Sequence, residues 1–297
     1  MGFRRRLWYF AGRIRLPRGG LLLRHDRAGP VAVAGAVLCL SACAALPGDR
    51  LVGWPDGQVE ISRLDAAPPV IVFESGLLSY KESWNGVFAT VAQTHTVFAY
   101  DHPGVGRSSA TTRPRDGRTL VEDLRALLRS QHLTPLYVLV GHPAGGPYMQ
   151  LFARDYPQEV AGLVLVDSTH PTQFFGEGAM SKRPERAQIV LGLVLTGSSR
   201  AEFEALIQTG QEVLSAPPLR TDLPTVILVA PDRSGSTVAD YDNAERRDLA
   251  TLYPAARWQE VDSDHDILQH RPQAIVDAIA EILSAPPVAG HPPASPD

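Results

Sequence analysis

The segment Val138-Leu139-Val140-Gly141-His142-Pro143-Ala144-Gly145-Gly146 limits what this chain can become more than any other stretch of its 297 residues. It starts as an unbroken apolar run, which reads as a strand buried on both faces. Glycines then flank a short turn, and glycine is needed where two backbones approach too closely for a Cβ. From Ala144 to Tyr156 the pattern reads as a helix. A doubly buried strand joined by a tight turn to a helix is the repeating unit of a parallel sheet, whose neighbouring strands need a crossover.

The same unit recurs along the chain. Strands are expected at residues 69–73, 96–100, 136–140, 162–166, 224–229 and 257–261, with helices near 83–93, 118–131, 144–156 and 272–283. In the second of these helices Leu120, Val121, Leu124, Leu127 and Leu128 fall at helical spacing. The fold class is therefore α/β, with a mostly parallel central sheet flanked by helices on both faces. Residues 169–218 interrupt the rhythm with amphipathic helical pattern between two strands, and read as a helical lid insertion over the strand ends. The domain spans residues 60–284, after a linker at 44–59. The proline-rich tail at 285–297 is expected to be disordered.

The N-terminus reads as an export signal. Eight arginines and one acid lie in residues 1–43, so the acidic excess of the rest exceeds the net −4 of the whole chain. That body gives no footing for nucleic acid or for anionic lipid. Val31 to Ala42 is uncharged and twelve residues long, too short to span a bilayer and the length of a signal-peptide core. It ends in Leu40-Ser41-Ala42-Cys43, similar to a bacterial lipobox, in which the cysteine becomes lipidated. A simple secretory signal cut near Ala42 and an uncleaved anchor are the alternatives. The expected location is the cell envelope, held by a lipid on Cys43, or outside the cell. Cys39 and Cys43 are the only cysteines, so the body has no disulfide and no thiol nucleophile. No dinucleotide glycine pattern or metal-ligand cluster stands out, and no cofactor or metal is expected.

Four landmarks in order carry a family resemblance. Phe73-Glu74-Ser75-Gly76-Leu77-Leu78 follows one strand. Tyr100-Asp101-His102-Pro103-Gly104-Val105-Gly106-Arg107-Ser108 follows the next. Gly141 to Gly145 forms the turn described above, and Asp264-His265-Asp266 lies between the last strand and the last helix. Together they resemble the α/β-hydrolase superfamily of serine esterases and lipases, over roughly residues 60–284. The turn matches its Gly-x-Ser-x-Gly nucleophile elbow, with Pro143 in the serine position.

That resemblance assigns roles residue by residue. His265 is the base. Asp232, just past the strand ending at Val229, is the preferred carboxylate, and Asp167, past Val166, is the alternative. The oxyanion hole falls to backbone N–H groups of Leu77 or Leu78 and of Ala144. Pro143 breaks the scheme twice. It has no hydroxyl, and its ring fixes φ near −65°, whereas the elbow serine sits at positive φ. The turn must relax, and His142 and Ala144 are expected to face away from the pocket. Ser75, Ser79 and Ser168 could replace the serine only by an unusual path.

The implied activity is carboxyl-ester or amide hydrolysis, impaired because Pro143 replaces the nucleophile. Three other readings stand beside it: a small-molecule-binding protein, a structural envelope lipoprotein, and a general-base enzyme using His265 with Asp232. A binding or catalytic protein should hold an apolar cavity near the lid, Leu77, Leu78 and Tyr148. The partners expected are an ester- or amide-like small molecule and, through the N-terminal segment, a membrane.

Overall fold

A computed structural model describes residues 45–285. The leader, Cys43 and residues 286–297 lie outside the described residues. The chain runs through β1 (Asp49–Trp54), β2 (Gly57–Leu64), β3 (Ala67–Glu74), α1 (Asn85–Val91), β4 (His95–Tyr100), α2 (Gly117–Ser130), β5 (Tyr137–Gly141) and α3 (Gly145–Asp155). It continues through β6 (Val160–Val166), α4 (Glu185–Val194), α5 (Gly197–Ser215), β7 (Thr225–Val229), α6 (Thr237–Leu252), β8 (Arg257–Glu260), α7 (Ile267–His270) and α8 (Pro272–Ser284). Eight strands form one sheet in the order β1-β2-β4-β3-β5-β6-β7-β8. The pairs β1/β2 and β2/β4 are antiparallel, and the rest are parallel.

Side-chain alternation explains why the sheet is covered on both faces. On β5, Tyr137 and Leu139 enter one core with α2 and α3, while Val138 and Val140 enter the other with α1 and α8. On β6, Leu163 and Leu165 take the first face, and Val164 and Val166 the second. Each strand is thus apolar at every position, as a doubly covered parallel strand must be. The residues after β3 carry the chain outward to β4, and the chain then returns to β5 on the other side of β3. Such a reversal opens a crevice at the carboxyl ends of β3 and β5, where ligands bind in open α/β sheets.

Two parts of the expectation need correction. Residues 49–59, read as linker, form β1 and the start of β2, an antiparallel hairpin whose strands pair Val52 with Val59 and Trp54 with Gly57. Edge strands are short and largely exposed, so they lack the apolar run that marks the central ones. The helix α6 also went unanticipated, because its buried residues include Asp242, Asn243 and Arg246, which read as a solvated face. Residues 169–218 do hold helices, α4 and α5, between β6 and β7. The buried Arg183 pins this inserted segment to α6 through two bonds to Asp242, at 2.8 and 2.9 Å.

Candidate active site

The turn after β5 begins where Gly141 ends the strand. A Cβ at Gly141 would stand 2.7 Å from the Gly145 carbonyl oxygen, so only glycine lets α3 start this close to the strand it leaves. The turn is well bonded. The N–H of His142 donates to the Glu74 carbonyl at 3.1 Å, that of Gly145 to the His142 carbonyl at 3.2 Å, and that of Gly146 to the Pro143 carbonyl at 3.1 Å. Thr169 N–H also donates to the Pro143 carbonyl, at 2.9 Å. Among the described non-glycine residues, positive φ falls on Leu78, His132 and Asp167 and not on Pro143. Ala144 has φ −70° and ψ −20°. The elbow has relaxed into the first turn of α3, as a proline at its tip requires.

His265, in the loop between β8 and α7, meets Asp167 rather than Asp232. Its Nδ1 lies 2.5 Å from Asp167 Oδ2. Asp167 follows β6 directly and is fully enclosed. Its other oxygen receives Arg246 Nε at 2.9 Å and the Ala230 N–H at 3.1 Å. Burial alone would raise its pKa, but the Arg246 charge and the His265 contact hold it below the usual carboxylate value. Its φ of +42° aims the carboxyl into this nest, a conformation aspartate tolerates better than most residues. Asp232, preferred from the sequence, works elsewhere. Its carboxylate accepts from the Ser234 N–H at 2.8 Å, and its backbone is tied to the Asn243 side chain at 2.9 and 2.8 Å. Both acids follow a strand at the same end of the sheet; what separates them is Arg246, brought by α6.

His142, expected to face away, packs its ring against His265 and Trp84, with centroids 5.3 and 6.4 Å apart. Its Nε2 lies 3.3 Å from the His265 carbonyl, and its buried Nδ1 has no hydrogen-bond partner among the described residues. Burial, aided by the nearby His265, pushes its pKa down to about 3. His142 is therefore a neutral support for the His265 loop.

The loop after β3 lies against the elbow: the Gly76 Cβ direction points at Pro143 Cδ, 2.6 Å away, and at Ala144 N, 3.1 Å away. Leu78 in this loop holds φ +59°, which is strained for a leucine. The N–H groups of Leu77, Leu78 and Ala144 donate to no acceptor among the described residues. Ala144 itself packs with Phe174 and Leu206, and with Leu77 and Phe203 at their edge, so α5 covers the elbow. Of the other serines, Ser75 Oγ is bonded to the Tyr80 carbonyl and to Trp84 Nε1, both at 3.1 Å. Ser168 Oγ is buried between Gln150 and Thr169, at 3.2 and 3.1 Å. Ser79 lines the cavity described next.

Beside this centre lies a buried ionic cluster that sequence reading missed. His102, from the loop after β4, sits between Glu74 (Nε2 to Oε1, 2.6 Å) and Glu202 of α5 (Nδ1 to both oxygens, 3.1 Å). Tyr100 donates to Glu74 at 2.7 Å. Arg115 Nη2 and Tyr148 Oη reach Glu202 at 3.1 and 3.3 Å. Burial would lower the His102 pKa, but Glu202 and Glu74 outweigh it and carry it to about 10. For Glu202 burial is likewise overruled, by His102 and Arg115, and its pKa falls to about 2. The only hint in the sequence is His102 itself, inside a glycine-rich loop. A small cavity of about 10 Å³ lies between this cluster and the Ser75–Ser79 loop, room for one water. Among the described residues no group of three His, Cys, Asp or Glu side chains is placed to hold a metal.

A sequence profile of the alpha/beta hydrolase fold matches residues 69–188. The protein YqjL of Bacillus subtilis is 24% identical, over 72% of this chain and 83% of its own. The mouse sn-1-specific diacylglycerol lipase ABHD11 is 25% identical, over 74% of this chain and 82% of its own. A thermophilic esterase from Thermogutta terrifontis superposes with a TM-score of 0.56 at 20% identity, covering 79% of this chain and 97% of that one. At that identity the likeness speaks for the fold alone.

Proposed function

Because this chain belongs to the α/β-hydrolase superfamily, we propose that it keeps the frame of a carboxyl-ester or amide hydrolase and is stopped at one step. The observation that carries this reading is the His265–Asp167 pair at 2.5 Å beside an elbow whose nucleophile position holds Pro143. With Nδ1–H given to Asp167, the basic nitrogen of His265 is Nε2, the one that takes a proton from a nucleophile. Asp167 stays ionised and orients the ring, steadied by Arg246. Leu77, Leu78 and Ala144 supply N–H groups at the place where an oxyanion would develop. What is missing is the hydroxyl that would form the acyl–enzyme. His265 can still draw a proton from water for direct attack on a bound ester, a slower route without a covalent intermediate. The base pair for that route is His265 with Asp167, in place of the Asp232 pairing.

The mouse relative is a diacylglycerol lipase, which favours an ester over an amide as the ligand. The leader and Cys43 support export and a lipid anchor in the cell envelope. Mass spectrometry of the mature N-terminus tests that part: a diacylated Cys43 supports it, and an intact Met1 refutes it.

The test of function compares the chain as it stands with Pro143→Ser on short-chain activated esters. The serine form should turn over at least about 10³-fold faster, since removing an elbow serine from a working triad costs that much or more. Turnover by the unaltered chain as fast as that of the serine form, and lost in His265→Ala, would contradict the reading.

A further inference from the structure

Glu202 is a carboxylate borne by the inserted helix α5 that occupies a cationic nest belonging to the core. His102 comes from the loop after β4, Arg115 lies just ahead of α2, and Tyr148 stands on α3. Their contacts to Glu202 measure 3.1 to 3.3 Å. A well-fitted charge-assisted bond of this kind is shorter, about 2.7–2.9 Å. Arg115 uses only one donor nitrogen on Glu202. Its Nε and Nη1 are buried and have no hydrogen-bond partner among the described residues, although the side chain is only 3% exposed. A guanidinium is built to grip a carboxylate through two parallel bonds. Asp123, an acid on which the Arg115 charge also acts, is held by Arg113 at 3.1 Å. From below, Glu74 fixes the ring of His102 at 2.6 Å. The nest is therefore more complete than its occupant's fit to it.

Its position ties it to the elbow. On the same helix as Glu202, Phe203 and Leu206 lie against Leu77, Ala144 and Phe174. With Glu202 in place the cavity beside the Ser75–Ser79 loop has room for about one water, too little for an acyl chain. We propose that Glu202 stands in for a ligand carboxylate, and that His102, Arg115 and Tyr148 form a subsite for the free carboxylate end of an acyl ligand. The apolar part of that ligand lies over Leu77, Ala144 and Phe174. This rests on the functional reading above and names its substrate class: esters or amides that carry a second, free carboxylate. Binding then exchanges one carboxylate for another, so the charge of the nest does not change while α5 is released.

The test uses the full-length chain with hexanoate and its neutral counterpart hexanamide, read by calorimetry and thermal unfolding. Glu202→Gln leaves the cationic nest unoccupied and should lower the melting temperature. Hexanoate should restore it and bind about tenfold or more tighter than to the unaltered chain, where it must first displace Glu202. Hexanamide should do neither. Arg115→Gln should weaken hexanoate binding by a similar factor. If Glu202→Gln does not fold, Glu202→Asp provides the same reading, because its shorter carboxylate competes less and hexanoate affinity should rise. Hexanoate affinity indifferent to both Glu202 variants, hexanamide binding as tightly as hexanoate, or phosphate stabilising as well as hexanoate would each overturn the proposal. No turnover is needed for this readout. An inert Pro143→Ser protein whose nest still binds hexanoate sinks the functional reading alone. An active one whose hexanoate affinity ignores Glu202 sinks this inference alone.

Discussion

His142 and His102 are both buried near the same crevice, and their surroundings drive them in opposite directions. Burial pushes each toward the neutral form. At His142 the neighbouring His265 pushes the same way, and the pKa falls to about 3. At His102, Glu202 and Glu74 lie within hydrogen-bond reach and overrule burial, lifting it to about 10. Carboxylate contacts, or their lack, decide the charge of a buried histidine. The comparison separates two halves of the crevice. Around Pro143 the N–H groups of His142, Gly145 and Gly146 are bonded and the His142 ring is neutral. Under α5 the charges are opposed and complete, so the frame is closed by electrostatics.

The largest effect is expected from unbalancing the acid paired with His265. Arg246→Met strips Asp167 of its cation while both groups are at least 95% buried. Removing one partner of a buried pair should cost about 3–5 kcal/mol, measured by urea unfolding. A loss below about 1 kcal/mol, the size of an exposed pair, would mean that Asp167 is not held as an ion in the interior. A smaller effect is expected at the elbow itself. Gly146→Ala would put a Cβ 1.9 Å from Ser168 Oγ and 2.6 Å from its Cβ. Such overpacking costs about 1–3 kcal/mol, and pairing it with Ser168→Gly should recover part of that.

The mildest test changes no residue. Histidine has a reference pKa of 6.5 in the unfolded chain. His102, raised in the fold to about 10, contributes stability that is full below pH 6.5 and is lost as the pH rises through 10. His142, lowered to about 3, contributes stability that is full above pH 6.5 and is lost as the pH falls toward 3. NMR titration of the ring protons should find His102 charged across neutral pH and His142 neutral there. If the two rings titrate together near 6.5, the contrast between the two halves is wrong.

The fold was legible because its central strands are apolar at every position and its turns carry glycine where backbones meet. Those are local facts, and the sequence holds them. The hairpin of β1 and β2 was not legible: β1 is an edge strand with no buried residue, and β2, between β1 and β4, buries the polar Glu60 and Ser62 alongside Val59 and Ile61. His265 was singled out from its place after the last parallel strand, and the fold sets it against Asp167. The carboxylate beside it is Asp167, the second choice from sequence after Asp232, because the two have the same address there. Only the packing of α6, which sets Arg246 against Asp167, tells them apart. Glu202 was invisible for a related reason: a glutamate on an amphipathic helix reads as solvated until the fold sets it against His102 and Arg115.

In the function proposed above, His265 and Asp167 form a dyad that lacks only a nucleophile. The direct measurement is ester turnover by the Pro143→Ser protein carrying, in turn, Asp167→Asn or Asp232→Asn. Loss of the orienting acid from a triad drops turnover about 10⁴-fold. That loss is expected for Asp167→Asn, with Asp232→Asn staying within a few-fold of its parent. Turnover that survives Asp167→Asn and collapses in Asp232→Asn would contradict the account at its centre.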